Sequence, residues 1–141
     1  MTTEENKRVI QRFIDEALNR KNLDSLETLV AEDFVEQVPF PGQGPGREGL
    51  RDTLRAFIVA FPDMHWAIEE QIAEGENVVT RFTMSGTHQG AFLGMLPTGK
   101  AVKVWGIVMD VVREGRMAES RILMDTIGLM QQLSESPSAA E

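Results

Sequence analysis

The spacing of apolar residues changes at Pro62, and this change constrains the fold more than any other feature of the 141-residue sequence. Before Pro62, apolar side chains recur every three or four residues, which is typical of amphipathic helices. After it, four runs alternate between apolar and polar side chains, which is typical of strands. Gly75 and Gly115 lie between paired runs and predict hairpin turns. Helices followed by hairpin-linked strands predict an α+β fold with a mainly antiparallel sheet.

The element boundaries follow from local signals. Thr2 and Glu5 form a capping box that begins the first helix, and Pro62 ends the last of the early helices. The predicted helices cover 4–20, a short segment after Asn22, and 50–61, and the predicted strands cover 34–38, 64–73, 78–85, 102–112 and 117–124. We expect residues 1–133 to form a single domain and the small, polar residues 134–141 to form a frayed tail.

Composition excludes several classes of function. The formal net charge is −8, and the basic residues are scattered, which argues against a nucleic-acid or anionic-membrane surface. No apolar run approaches the roughly 20 residues of a membrane helix, and the N-terminus does not resemble a signal peptide, so we expect a cytoplasmic protein. There are no cysteines, and the two histidines are far apart, so we predict no metal site.

Two features carry the functional hypothesis. The segment from Gly86 to Lys100 is a turn-rich connection between two strands, where sites are often built, and it contains His88. Asp125 ends the last strand-like run among apolar side chains, which suits a carboxylate to proton transfer. Both residues are candidate catalytic groups. The alternatives are that His88 only holds its loop together and that Asp125 caps a helical turn beginning at Thr126.

Several motifs carry a family resemblance. They are Phe61-Pro62-Asp63, Gly86-Thr87-His88-Gln89-Gly90, Leu93-Gly94, Pro97-Thr98-Gly99, and Asp125 followed by Gly128-Leu129 and Gln131-Gln132-Leu133. The chain resembles the SnoaL-like polyketide cyclase family, within the nuclear-transport-factor-2-like cone fold. The resemblance implies helices packed on a strongly curved sheet that forms a cone with one internal cavity. It also implies an aldol ring closure without a cofactor, in which Asp125 moves the protons.

The sequence departs from the family pattern at two places. Gln37 stands where the family commonly has histidine, and glutamine forms hydrogen bonds but cannot shuttle protons. Ser120-Arg121 replaces a histidine and a tryptophan before the aspartate. Arg121 either pairs with a carboxylate of the protein or ligand, or is exposed on its strand. Asp110 is the other acid inside a predicted strand, and we expect it to point outward, as an edge or dimer-interface charge.

We expect the cavity to bind a small apolar or aromatic carbonyl compound. Candidate substrate-binding side chains are Phe34, Gln37, Trp66, Phe92, Trp105, Met109 and Arg121, with core packing as the alternative for the tryptophans. A noncatalytic binding protein, an isomerase and an epoxide hydrolase are alternatives on the same fold. An epoxide hydrolase of this fold needs an Asp–Arg pair, but strand alternation places Arg81 on the outer face of the sheet. We expect a homodimer through the outer sheet face, from the half-polar character of that face and from family habit.

Overall fold

The structure, a computed structural model, describes residues 1–134. The predicted tail therefore lies outside the described residues, except for Ser134. The helices are α1 (Thr3–Arg12), α2 (Leu26–Leu29), α3 (Gly46–Ala60) and α4 (Thr126–Ser134). The strands are β1 (Val30–Glu36), β2 (His65–Glu74), β3 (Asn77–Thr87), β4 (Ala101–Arg113) and β5 (Arg116–Met124).

The three predicted helices are present, but α3 begins at Gly46, four residues before the predicted start at Leu50. The Oγ1 atom of Thr2 accepts a hydrogen bond from the backbone N–H of Glu5, which satisfies one of the free donors at the start of α1. Helix α1 continues as a π-helical segment, Phe13–Asn19, so the predicted extent of 4–20 is confirmed but the change in winding was not foreseen. Helix α3 ends at Ala60, just before Pro62.

The five strands form one open sheet in the order β1-β5-β4-β3-β2. Strand β1 is parallel to β5, and the other three pairs are antiparallel. The α+β cone predicted from the sequence is therefore confirmed. Strand β1 begins four residues earlier than predicted, because Val30 pairs with Met117 of β5. Among residues 1–134, no helix is long and apolar enough to cross a membrane.

Strand alternation determines which side chains face the helices. In β3, the predicted inner residues Val78, Thr80, Phe82 and Met84 are all buried, and the residues between them are half-buried on the outer face. Gly106 of β4 lies against the ring of Phe82, and a Cβ atom there would come within 2.5 Å of that ring. A glycine is therefore needed where the large inner side chain of β3 crosses β4.

Candidate active site

An apolar cavity of about 70 Å³ lies between the helical layer and the inner face of the sheet. Its walls come from α1 and the π-helical segment, from α3, and from all five strands. Most lining residues are aliphatic or aromatic. The polar and acidic lining residues are Glu36, Gln43, Thr53, Asp110 and Ser120. The cavity therefore combines an apolar surface with a few polar groups, as small-molecule sites usually do.

Asp110 is the most unusual of these polar residues. It is only 1% exposed and lines the cavity, and its Oδ1 atom has no hydrogen-bond partner within residues 1–134. The prediction that Asp110 points outward is wrong. Even-numbered residues of β4 face inward, and Asp110 shares that face with Val108 and Val112. A buried carboxyl oxygen without a donor is costly in a purely structural role, because it loses water and gains nothing.

Burial raises the pKa of Asp110 to about 7. Desolvation is the main cause, since an apolar cavity stabilises the neutral acid over the charged carboxylate. The Ser120 side chain, opposite Asp110 in the β4–β5 pair, opposes the increase by hydrogen bonding. The negative charge of Glu36 adds to it. Near neutral pH, Asp110 is therefore poised between its acid and base forms.

Glu36 lies at the end of β1 and is the second carboxylate of the cavity. Its Oε2 atom accepts hydrogen bonds from the backbone N–H groups of Val38, at 3.1 Å, and Ile122, at 3.3 Å. These bonds tie the charge to β5 and orient it. Two carboxyl side chains therefore line one cavity, and they differ in how many hydrogen bonds they accept. Two backbone hydrogen bonds fix the carboxyl of Glu36, whereas the Oδ1 atom of Asp110 is left unpaired and is available to exchange a proton with a ligand.

Trp66 is a second cavity-lining residue with an unpaired polar atom. It is buried and lines the cavity, and its Nε1–H group has no hydrogen-bond partner in the described part of the chain. Its ring packs against Phe82 at 5.0 Å and Phe57 at 6.2 Å between centroids. Buried indole N–H groups usually have a partner. An unpaired donor and the unpaired Oδ1 of Asp110 together fit a ligand that both accepts and donates a hydrogen bond or proton.

Asp125 is not among the residues that line this cavity. Its Oδ1 atom accepts a hydrogen bond of 2.9 Å from the backbone N–H of Gly128, and its carbonyl oxygen accepts one from Leu129. Gly128 also leaves space for this carboxylate, since a Cβ atom there would lie 2.1 Å from Oδ2. The geometry is that of an N-cap on α4, the alternative considered for Asp125 from the sequence.

His88 is fully buried but also lies away from the cavity lining. Its Nδ1 atom accepts a hydrogen bond from the backbone N–H of Thr98, at 3.2 Å, and contacts the Thr98 hydroxyl at 3.1 Å. Its backbone pairs with Gly99 and Lys100 across the loop, and its ring packs on Phe61. These contacts hold the ends of the 88–100 loop together, as the alternative interpretation of His88 requires.

The seven predicted substrate-binding side chains divide into three groups. Phe34 and Trp66 line the cavity. Phe92 is buried beside Phe57 but lines a neighbouring surface groove instead.

The other four side chains are exposed: Gln37, Trp105, Met109 and Arg121. The prediction that these four side chains line the cavity is wrong, and the geometry of the strands gives the reason. Trp105 and Met109 occupy the odd-numbered, outer positions of β4, and Arg121 lies opposite Met109 on β5. Gln37 donates a hydrogen bond of 3.0 Å to Glu119, also outside the cavity.

Two further sequence expectations concern charged clusters. Within residues 1–134, no group of three or more His, Asp or Glu side chains could hold a metal ion. Arg81 is on the outer face, as predicted, where its Nε atom lies 2.9 Å from Oε1 of Glu70. The Asp–Arg pair that an epoxide hydrolase of this fold requires is therefore not assembled around Asp110.

Comparison with known proteins gives a family match. The model of the family described as SnoaL-like polyketide cyclase matches residues 8–133. The search of curated proteins returned no match. IdmH from Streptomyces antibioticus, a proposed polyketide cyclase, has a crystal structure that is 30% identical in sequence. That alignment covers 92% of this chain and 99% of IdmH, with a TM-score of 0.80.

Two other solved structures have the same fold. TsrD from Streptomyces laurentii is 25% identical, over 95% of this chain and 98% of its own, with a TM-score of 0.86. AclR from Streptomyces galilaeus, a proposed hydroxylase, is 23% identical, over 96% of this chain and 85% of its own, with a TM-score of 0.82. At that identity the likeness to AclR concerns the fold alone.

Proposed function

Because the chain belongs to the SnoaL-like polyketide cyclase family, we propose that it is an acid/base enzyme that acts on a carbonyl compound held in the cone cavity. The leading reaction is an intramolecular aldol ring closure that needs no cofactor. Asp110 is the general base, in place of the Asp125 expected from family position. The observation that carries the proposal is the buried carboxyl of Asp110, with an unpaired oxygen and a pKa of about 7.

Each step of an aldol closure has a candidate group in the cavity. The Asp110 carboxylate removes a proton from the carbon next to a carbonyl, and the C–H electron pair forms the enolate. The Nε1–H group of Trp66 donates a hydrogen bond to the enolate oxygen, which lowers the energy of the charged intermediate. The enolate carbon attacks a second carbonyl of the same molecule. The resulting alkoxide takes the proton back from Asp110, which restores the carboxylate.

A base with a pKa near the working pH suits this role, because it is both partly ionised and strong enough to remove a weakly acidic proton. Glu36 supports it by holding a negative charge near Asp110, which raises the pKa of that carboxyl. The apolar walls exclude water and so protect the enolate from premature protonation by solvent. A noncatalytic binding protein would use the same cavity but would not need an unpaired buried carboxyl.

The proposal is tested by α-proton exchange, which isolates the first chemical step. The probe is 1-indanone, a compact aromatic ketone with two protons next to its carbonyl. The protein is incubated with the probe in D₂O near neutral pH, and the loss of the α-proton signal is followed by NMR. We expect the protein to accelerate exchange and Asp110→Asn to reduce the protein-dependent rate by about 10²–10⁴, the usual contribution of a general base.

Asp125→Asn is the matched control, because asparagine also caps helices well. We expect it to exchange 1-indanone at the rate of the unchanged protein. Binding of 1-indanone without accelerated exchange would support the noncatalytic alternative. Loss of exchange in Asp125→Asn together with full exchange in Asp110→Asn would return the catalytic role to Asp125 and refute the assignment made here.

We also propose a homodimer through the outer sheet face. Support comes from large apolar side chains on that face, including Trp105, which is 52% exposed, and Leu123, which is 66% exposed, with Ile107 and Met109 beside them. A contiguous apolar surface of this kind favours association. Sedimentation velocity at micromolar concentration should give a dimer that Trp105→Glu converts to monomer. A monomer in both cases would refute this interface.

A further inference from the structure

A surface groove of about 420 Å³ adjoins the cavity on the side of the loop between β1 and α3. Four residues line both spaces and form the wall between them: Phe40, Gln43, Thr53 and Phe57. The cavity alone is much smaller than the roughly 300–1,000 Å³ of typical ligand pockets. Cavity and groove joined would fall within that range.

We propose that Phe40 is a size gate that determines whether the site accepts ligands of more than two fused rings. With Phe40 in its present position, only a compact ketone fits beside Asp110. With Phe40 displaced, the ligand extends into the groove, and its reacting carbonyl remains in the cavity. The expected ligand class is therefore an aromatic ketone of three or more fused rings. The expectation that the ligand carries a carbonyl group rests on the proposed function, but the gate does not.

The packing of Phe40 fits such a role. Its half-buried ring makes an edge-to-face contact with Phe57, with 5.0 Å between centroids. Phe57 itself is buried in α3 and packs on Phe61, Trp66 and Phe92. The fixed side of the wall is thus part of the core, whereas the other side is a single ring on a loop. Displacing that ring removes one aromatic pair and leaves the core intact.

The loop bonds of Phe40 are local. Its backbone N–H donates to the Gln43 side-chain oxygen at 3.1 Å, and its carbonyl oxygen accepts from the Gln43 backbone N–H at 2.9 Å. Between them, Gly42 has a φ of +82°, a conformation that glycine adopts without strain. The turn can therefore move as a unit and retain these hydrogen bonds.

The two ends of the loop are anchored. At one end, the backbone N–H of Gln37 donates a 2.8 Å hydrogen bond to the carbonyl oxygen of Ser120 in β5. At the other, the Gly44 backbone packs directly on Gly49 of α3, where a Cβ atom would lie 1.8 Å from the Gly44 oxygen. The backbone N–H of Val38 is also held, by the Glu36 carboxylate. Movement is thus confined to residues 39–43, the segment that carries Phe40.

The test uses a nested series of ketones: cyclopentanone, 1-indanone and 9-fluorenone, in which each member adds one fused benzene ring. Dissociation constants are measured by calorimetry or ligand-observed NMR for the unchanged protein and Phe40→Ala. We expect Phe40→Ala to bind 9-fluorenone at least tenfold more tightly than the unchanged protein, because opening the wall no longer displaces a packed ring. The affinity for 1-indanone should change by less than threefold.

Leu54→Ala is the matched control. Leu54 is buried and lines the cavity but not the groove, so its truncation adds space without opening the wall. It should not favour 9-fluorenone over 1-indanone. Phe40→Trp, with a larger gate, should weaken 9-fluorenone binding. Thermal unfolding of each variant verifies that it is folded.

Equal changes for 9-fluorenone and 1-indanone in Phe40→Ala, or no binding of either by this folded variant, would overturn the gate. Because the readout is binding, the result is independent of the catalytic proposal. Size selection by Phe40 with unchanged exchange in Asp110→Asn would mean that only the catalytic proposal fails. Loss of exchange in Asp110→Asn without size selection would mean that only the gate fails.

Discussion

Replacing Asp110 by asparagine should stabilise the folded chain at alkaline pH, although it removes the proposed general base from the site. The carboxyl has a pKa of about 7 in the fold, compared with the ordinary value of 3.8. Between these pH values the folded state holds a proton that the unfolded state has released. The stability of the unchanged protein therefore falls as pH rises from about 4 to about 7, and then no longer changes through this group.

The size of the effect follows from the two pKa values. Each pH unit between them corresponds to about 1.4 kcal/mol, so the upper limit of the penalty on burying the carboxylate is about 4 kcal/mol. Asparagine has nearly the same shape and never ionises. We expect Asp110→Asn to match the unchanged protein near pH 4 and to exceed it by up to about 4 kcal/mol near pH 8.

Urea unfolding at a series of pH values measures this difference directly. Asp63→Asn is a control whose effect on the free energy of unfolding should have the opposite sign. The backbone N–H and hydroxyl of Thr87 donate hydrogen bonds to Asp63 and lower the pKa of that exposed carboxyl. Asp63 therefore adds stability above its ordinary pKa, and this is lost as pH falls through the lowered value. Asp63→Asn should be less stable at neutral pH. Equal stability of Asp110→Asn and the unchanged protein at pH 8 would refute the buried-acid interpretation.

Three further outcomes are expected. The protein-dependent exchange of 1-indanone should rise with pH to a plateau above about 7, as the Asp110 base form accumulates; an NMR rate profile that is flat from pH 5 to 9 would contradict this. Asp125→Ala should lose about 1 kcal/mol in urea unfolding, since it removes the α4 cap, and an unchanged midpoint would argue against the cap. Gly49→Ala should lower Tm, because its Cβ would overlap the Gly44 oxygen and overpacking costs about 1–3 kcal/mol of folding free energy; an unchanged Tm would contradict that close approach.

The fold was largely predictable because periodicity and turn residues agree. The hairpins at Gly75 and Gly115 and the inner face of β3 follow from local spacing alone. The parallel pairing of β1 with β5 is different. It joins segments that are distant in the sequence, and no local pattern specifies it. The site depends on that pairing, because it brings Glu36 to Ser120.

Asp110 illustrates what sequence reasoning missed. Strand β4 is apolar on both faces, so alternation alone does not show which face is inside. The signal was present at the ends of the strand, where the odd-numbered face carries Lys103 and Arg113, and these charges belong in solvent. That pattern places Asp110 inside. By contrast, the position of Asp125 outside the cavity depends on where β5 ends and α4 begins, which the sequence left open.

The parallel β1–β5 pair has a consequence for how the site forms during folding. The hydrogen bond from Ile122 to Glu36 joins residues 86 positions apart, whereas the hairpins of β2, β3, β4 and β5 form between neighbouring segments. Closing so long a loop is slow compared with forming hairpins. During synthesis, β1 cannot pair with β5 until β5 has left the ribosome. A chain that ends before residue 116 therefore lacks both the Ile122 partner of Glu36 and the β5 wall of the cavity, however well its earlier hairpins have formed.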